Sequence, residues 1–435
     1  MAEKELTACT LSDNCRRRFR IYAYASTWFG CFSDVMLENS AVIILYFVML
    51  GADNTLIMLS TGLIGIVSMF LLIPASGIVD RLGPKRVIAL ASWIACGSYL
   101  LMAAAPFAGN PAAPYLVLLG CFIFSVSRPL TNAAWYPVLS AILKPSERGD
   151  FFGFMRFSYY ILTGMVFCLL GILMGAEPPV WFLQLIIGIT GVLALGRSVF
   201  ISRIVLPEET RSKTHDFRGA LKTSVCNGPL VGFSVYICCQ SFAFAAILPL
   251  TLLYLKNGLH YGDNYVQILS SGGIAGSICG FFFYGSLVRR LGIRNLQFAI
   301  HAAYILIPLG LFFCGSGVPY LPLLIGLLLF AGNAAFSCFT CAFSQESLAL
   351  ARPGNVAMAA AFTLTYQMIG TAVGRTAASL LLGNGILSAD WSCGGISFSH
   401  YQTIFLFSSL LALFFLTLVF CIPSVVPKHE NYYNP

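Results

Sequence analysis

The sequence has few charged residues: 10% of its 435 residues are Asp, Glu, Lys or Arg, against about 25% in soluble globular domains. It has five histidines and neither an H-E-x-x-H nor a G-x-x-x-x-G-K-[ST] motif, which argues against a zinc enzyme and an ATP-driven pump. Instead, 58% of the residues are hydrophobic, and the mean hydropathy is +0.83. These values exclude a water-soluble enzyme and a nucleic-acid-binding protein, and they predict a polytopic membrane protein.

The apolar runs are long enough for membrane-spanning helices, which need about 20 residues each. They are continuous rather than alternating, which is typical of helices and not of barrel strands. Twelve helices are predicted, over residues 21–50, 56–79, 87–107, 113–143, 151–174, 180–206, 229–255, 265–288, 296–314, 321–349, 356–382 and 401–422. The predicted fold class is therefore an all-α integral membrane protein with twelve transmembrane helices.

One polar interior stretch divides these helices six and six. We predict an N-terminal six-helix bundle over 1–206, a linker over 207–228 and a C-terminal six-helix bundle over 229–435. Lys and Arg concentrate in the segments on one side of the membrane, whereas Lys256 stands alone on the other. This asymmetry predicts cytoplasmic termini in a cell membrane. The lack of an Asn-x-Ser/Thr sequon agrees with a bacterial inner membrane.

The loop after the second predicted helix contains a cluster of small, acidic and basic residues: Gly77, Asp80, Arg81, Gly83, Lys85 and Arg86. With one extra residue before Lys85, it resembles the G-x-x-x-D-R-x-G-[R/K]-[R/K] loop signature of the major facilitator superfamily. A weaker copy, Arg289-Arg290-Leu291-Gly292, follows the eighth predicted helix, as duplicated halves would give.

The resemblance implies two six-helix bundles that rock around a site at the membrane midplane. It also implies that the six loop residues form a conformational latch, in which Asp80 meets the start of the eleventh helix. Helix N-termini attract carboxylates, which gives this contact a physical basis. The alternative is that Arg81, Lys85 and Arg86 only set the topology.

Charged residues near the middle of a predicted helix need an explanation, because each charge at mid-membrane costs about 2.5–3.5 kcal/mol. Asp34 and Glu38 are four residues apart near the middle of the first helix, so their carboxylates share one face. Arg128 lies near the middle of the fourth helix. In the resembled fold both helices line the central cavity, so Asp34 and Glu38 are predicted to couple protons beside Arg128. A purely structural bridge between the two helices is the alternative.

Other polar residues follow helical spacing and are predicted to face protein or water rather than lipid. Asn132 replaces the glycine of the fourth-helix R-x-x-x-G motif of the resembled family, and His301 is interpreted as structural. The candidate substrate-binding residues are Arg128, Asn132, Trp135, Gln240, Asn333, Gln367 and Arg375.

The leading hypothesis is proton-coupled secondary transport of a small organic solute by alternating access. Arg128 and Arg375 would suit a solute with an anionic group. The alternative is proton-driven efflux of lipophilic cations, although the fifth-helix G-x-x-x-G-P signature of such antiporters is missing. A third hypothesis is a membrane sensor without transport. The expected partners are the small-molecule substrate, protons or sodium, and the lipid bilayer. We expect a monomer without cofactor, metal or nucleic acid.

Overall fold

The computed structural model describes residues 13–38, 40–109, 111–143, 148–205, 217–315, 317–352, 356–383, 386–393 and 396–421. The described part of the chain is almost entirely helical. The N-terminal half contains α1 (Asp13–Glu38), α2 (Val42–Met49), α3 (Asn54–Leu82), α4 (Pro84–Ala104), α5 (Ala112–Ile142), α6 (Arg148–Met174) and α7 (Val180–Ser202). A 3-10 turn, Ala105–Ala108, extends α4.

The C-terminal half follows a short helix, α8 (Phe217–Val225). It contains α9 (Gly228–Phe244), α10 (Ile247–Leu253), α11 (Asp263–Phe312), α12 (Leu321–Ala349), α13 (Val356–Gly383) and α14 (His400–Cys421). A π turn, Tyr254–Gly258, extends α10. An antiparallel hairpin, β1 (Asp390–Cys393) and β2 (Ile396–Ser399), precedes α14.

The described helices agree with the predicted twelve. Nine of them are long and apolar enough to cross a membrane, and the bent pair α1 and α2 makes a tenth crossing. The 50-residue α11 is broken at Gly292, which gives two crossings, and α13 has 28 residues. The all-α membrane fold in two helical bundles is thus confirmed. The exact boundaries of the predicted linker stay a prediction, because residues 206–216 lie outside the described ranges.

The two copies of the loop signature adopt the same backbone turn. Gly83 has φ 85° and ψ 146°, and Gly292 has φ 76° and ψ 156°. Only glycine adopts such angles without strain, so each copy ends one helix and starts the next. The weak sequence repeat therefore corresponds to a structural repeat.

The first predicted helix is not continuous. Residues 21–50 were expected to form one helix with Glu38 near its middle, but α1 ends at Glu38 and α2 leaves at an angle of 48°. Ser40 contributes to the break, because its side-chain oxygen accepts a hydrogen bond from the backbone N–H of Val42 at 3.1 Å. The Glu38 carboxylate consequently lies at a helix end.

The two halves pack closely through α3 against α13 and α6 against α11. A Cβ atom added at Gly65 would lie 3.0 Å from the backbone nitrogen of Ala372, and one at Gly171 would lie 2.9 Å from the side chain of Ile268. Glycine at these positions allows the backbones of the two halves to approach each other.

Hydrogen bonds join the halves at the end that the charge distribution predicts to be external. The side-chain amide of Asn54 donates to the Tyr401 hydroxyl at 2.7 Å, and the Asn257 amide donates to the Asn54 carbonyl oxygen at 2.7 Å. The Ser379 hydroxyl donates to the backbone carbonyl of Thr55 at 2.7 Å. We call these contacts the external clasp, and they hold this end of the molecule together.

Candidate functional site

A cavity of about 170 Å³ lies between the two halves. Its volume is close to that of an engineered cavity of about 150 Å³ that binds benzene, and below the roughly 300–1,000 Å³ of drug-sized pockets. It therefore fits a small, single-ring solute in this conformation. The predicted site residues among its lining side chains are Glu38, Gln240, Asn333, Gln367 and Arg375.

An ionic cluster of four side chains lies beside this cavity, entirely within the N-terminal half. Arg128 Nη1 lies 2.7 Å from Asp34 Oδ2, and Arg128 Nη2 lies 2.8 Å from Glu38 Oε1. Arg197 Nη2 lies 2.6 Å from the same Asp34 Oδ2. We call Asp34, Glu38, Arg128 and Arg197 the ionic quartet. With both acids ionised its formal charges cancel, which makes its burial tolerable.

The two acids of the ionic quartet have different surroundings. The Asp34 side chain is 7% exposed and contacts both arginines, whereas the Glu38 side chain is 30% exposed and, among the described residues, forms an ion pair with Arg128 only. Glu38 also lines the cavity. A proton that enters the cavity would therefore meet Glu38 first, while Asp34 stays paired behind it.

Arg197 is not among the site residues predicted from the sequence. It lies five residues before the end of α7, where an arginine usually extends toward the membrane surface. In the structure it turns inward and packs against Gly30 of α1 instead. An arginine inside an apolar span was the signal available, and its partner could not be inferred without the packing of α1 on α7.

Gly30→Ala is expected to displace Arg197. A Cβ atom at position 30 would lie 1.8 Å from Arg197 Nε, so the substitution should cost about 1–3 kcal/mol of stability, as overpacking typically does. The measurement is the apparent melting temperature of the purified protein in detergent.

The matched control is Gly97→Ala. Gly97 is exposed in α4, and no described atom lies within 4 Å of its added Cβ. Alanine should leave the melting temperature unchanged or raise it, since it favours helix over glycine by about 0.5–1 kcal/mol. Equal melting temperatures for the two variants would contradict the role assigned to Gly30.

Arg375 lies on the cavity wall and links the two halves. Its Nε donates to the Ala245 carbonyl at 3.0 Å, and its Nη1 donates to the carbonyl of Thr61 in α3. Within the described ranges it forms no ion pair with a carboxylate within 4 Å. The cavity thus has a cation bound to neutral carbonyls, which leaves part of its charge available to an anionic solute.

Gln240 connects the cavity to the interior of the C-terminal half. Its Nε2 lies 2.6 Å from His301 Nδ1, and His301 Nε2 lies 2.7 Å from the Ala412 carbonyl oxygen. Asn333 donates from its side-chain amide to the Leu329 carbonyl at 2.9 Å. Gln367 is buried in α13 and also lines the cavity.

Three other predicted substrate-binding residues lie outside the described lining of the cavity. Arg128 adjoins it through Glu38 alone. Trp135 packs against an apolar cluster of the N-terminal half that includes Val138 and Leu139. Asn132 is half-buried in α5. A role for Asn132 and Trp135 in binding stays a prediction, and it needs another conformation of the bundles.

The predicted latch residues lie at the junction of α3 and α4, which end and begin on either side of Gly83. Gly83 makes the expected turn, and Arg81 and Arg86 are exposed. Lys85 donates to the carbonyls of Ser202 and Ile204, at 2.9 and 2.6 Å, in its own half of the chain. No described atom lies within 4 Å of a Cβ added at Gly77. The Asp80 side chain lies outside the described part of the structure, so the latch stays a prediction.

The sequence profile of the Major Facilitator Superfamily matches residues 27–375, which is most of the chain. The chain belongs to the major facilitator superfamily. It is a multi-pass membrane protein of a transporter family, as the loop signature indicated. A direct comparison with curated proteins finds no match.

Solved structures of this superfamily share the fold at low sequence identity. The nucleoside transporter NupG has a TM-score of 0.66 and 16% identity, over 96% of this chain and 100% of that one. The xylose transporter XylE from E. coli, in a partially occluded inward-open conformation, has a TM-score of 0.69 and 12% identity, over 94% and 98%. A bacterial homologue of the iron transporter ferroportin in an inward-facing state has a TM-score of 0.64 and 15% identity, over 92% and 98%.

Proposed function

We propose that the protein is a secondary transporter that couples protons to the movement of a small organic solute with an anionic group. The observation that carries this proposal is the position of Glu38. This carboxylate belongs to the buried ionic quartet, contacts one arginine and lines the cavity between the halves. It can take up a proton while Asp34 stays paired with both arginines, which leaves the ionic quartet with a net charge of +1.

Protonation of Glu38 would change the charge that a solute meets. The ionic quartet would gain one positive charge, and Arg375, which also lines the cavity, carries another. At an effective dielectric constant of about 20, two unit charges about 6 Å apart interact by about 3 kcal/mol. A proton on Glu38 should therefore raise the affinity for an anionic solute by roughly 100-fold, which is the linkage that symport requires.

Efflux of lipophilic cations is the alternative function. An acidic cavity would favour it, but the charged residues that line this one are one acid, Glu38, and one arginine, Arg375. The rest of the ionic quartet, behind Glu38, holds two more arginines and one more acid. A membrane sensor without transport is less favoured, because a sensor needs no exposed carboxylate at an interface between moving halves. Coupling to sodium instead of protons is a further alternative, and the uptake assay described below tests it.

The oligomeric state, the membrane and the orientation of the protein are also part of this proposal. We propose a monomer in a cell membrane, bacterial inner membrane being the favoured setting, with both termini in the cytoplasm. The distribution of Lys and Arg supports the orientation. Substrate would enter the cavity from one side at a time, with the external clasp closing the other.

The test uses purified protein in proteoliposomes. A thermal-shift screen at two pH values first selects small organic acids, neutral solutes and cations that bind. Uptake of each is then measured with an inward proton gradient, with sodium replaced by potassium in parallel. Arg375→Gln should weaken binding of an anionic solute by about 10–100-fold, since hydrogen bonds to charged groups contribute about 1.5–3 kcal/mol.

Arg290→Gln is the matched control. Arg290 is exposed just after the eighth predicted helix, so its substitution should leave the affinity for the solute unchanged. The structure makes Arg375 a better probe than Arg128, whose removal would take the ion-pair partner from Glu38 and leave the ionic quartet with a net negative charge. Three results would each overturn the proposal. They are export of cations against a proton gradient, uptake that depends on sodium, and unaltered anion affinity in Arg375→Gln.

A further inference from the structure

Two side chains on the C-terminal wall of the cavity have buried polar atoms without a hydrogen-bond partner among the described residues. They are Gln240 Oε1 and the Tyr304 hydroxyl oxygen. Both residues are 1% exposed. Buried polar atoms are nearly always paired, and each exception needs an explanation. Both residues line the cavity, so a ligand bound there is the partner that we infer for them.

The orientation of the Gln240 amide follows from the hydrogen bonds of His301. The Ala412 carbonyl can only accept, so His301 Nε2, at 2.7 Å, must carry a proton. His301 is fully buried, and no carboxylate lies within 4 Å of it among the described residues, so a neutral ring is favoured.

In this neutral tautomer Nδ1 is an acceptor, and the Gln240 atom 2.6 Å away must be the amide nitrogen. The Tyr236 hydroxyl, at 3.2 Å, is a second donor to the same nitrogen. Gln240 Oε1 is thereby left as an acceptor with no described partner. His301 fixes which atom of the amide is free.

The Tyr304 ring is fixed by aromatic packing. It stacks on Phe244 with ring centroids 3.9 Å apart and an interplanar angle of 1°, and its centroid lies 5.6 Å from that of Phe339. The hydroxyl can donate or accept a hydrogen bond. Phe244 and Phe339 also line the cavity, so Gln240 and Tyr304 share its wall with aromatic rings.

We propose that Gln240 and Tyr304 form a subsite for a hydroxyl or N–H group of the transported solute, with His301 as the positioning residue that orients Gln240. The proposal rests on the proposed function in taking this cavity as the transport site. Arg375 supplies the cationic side of the same cavity. The substrate class is therefore a small organic anion with an apolar or aromatic body and a hydrogen-bond donor.

The experiment measures equilibrium binding of matched probes to purified protein at fixed pH. The probes are benzoate, 4-hydroxybenzoate and 4-methoxybenzoate, with propionate and lactate as a smaller pair. The hydroxylated member of a pair should bind about 10–100-fold more tightly, because the site otherwise keeps an unpaired acceptor. The methoxy compound has no donor and should not gain this affinity.

Gln240→Leu and Tyr304→Phe should reduce the hydroxyl preference to about one. Gln297→Leu is the matched control, because Gln297 Oε1 is equally buried and without a described partner, yet it lies outside the described cavity lining. His301→Phe should lower the ratio of hydroxy to methoxy affinity, because the amide can then rotate, while benzoate binds as before. His301→Gln, which retains an acceptor, should restore part of the ratio.

Three results would overturn the subsite. They are binding that does not depend on the hydroxyl group, a hydroxyl preference that survives Gln240→Leu and Tyr304→Phe, and no binding of any of the five probes. Tyr304→Phe removes one atom, so it keeps the test valid if His301→Phe fails to fold. Binding needs no proton gradient, so the two proposals fail separately. Hydroxyl-selective binding without proton-driven uptake refutes the proposed function alone, and proton-driven uptake without hydroxyl selectivity refutes the subsite alone.

Discussion

Glu38→Gln is expected to abolish proton-driven accumulation of the solute while exchange of solute across the membrane continues. The amide keeps the shape of the side chain and can still accept a hydrogen bond from Arg128, but it cannot change charge. The ionic quartet is then permanently one positive charge richer. Anion affinity should become independent of pH and resemble that of the protonated wild type.

The measurement is uptake in proteoliposomes with and without an inward proton gradient, compared with counterflow of labelled solute. The ratio of the two uptake values should fall to about one in Glu38→Gln. Glu177→Gln serves as the control, because Glu177 is exposed in the α6–α7 loop and should couple normally. Accumulation by Glu38→Gln at the wild-type level would show that another group carries the proton.

Arg197→Leu is expected to destabilise the N-terminal half by about 3–5 kcal/mol, the usual cost of removing one partner of a buried ion pair. The substitution leaves Asp34 and Glu38 with Arg128 alone, so a net negative charge stays buried. For a bundle of about 200 residues this corresponds to a fall of roughly 10 °C in apparent melting temperature. The double variant Asp34→Asn with Arg197→Leu should recover much of this loss, because the remaining Glu38–Arg128 pair is neutral.

Arg203→Gln is the control, because it removes an exposed arginine that directly follows the same helix. Arg203 is exposed beyond the end of α7 and contacts the rings of Tyr22 and Phe200, so its loss should cost less than about 1 kcal/mol. A double variant less stable than Arg197→Leu would mean that Arg197 acts through packing rather than through the charge of Asp34.

Helix number, bundle architecture and family were predictable because they depend on the composition of long segments. An apolar run of about 20 residues has few alternatives to a membrane helix. The duplicated loop was equally accessible, since Gly83 and Gly292 must adopt a turn that other residues avoid. These features are encoded locally, so one sequence suffices to find them.

The details of the site depend on contacts between distant segments. The pairing of Asp34 with Arg128 followed from the resembled fold, but the inward turn of Arg197 depends on Gly30 of another helix. The break after Glu38 was missed because the apolar residues on both sides give the whole segment a high mean hydropathy. Two polar residues change that mean very little. His301 was assigned a structural role, and its bond to Gln240 depends on the packing of α9 against α11.

The location of the ionic quartet within one bundle has a consequence for the speed of the carrier. Its members belong to α1, α5 and α7, so the alternating access that we propose would move them together. Turnover then needs no step that strips a buried guanidinium of its counterion. The bonds between the halves that this motion would break include neutral ones such as Asn54 to Tyr401, each worth about 0.5–1.5 kcal/mol, and the bond from Arg375 to the Thr61 carbonyl. Such bonds break and re-form readily, so a rapid carrier can retain a densely charged interior.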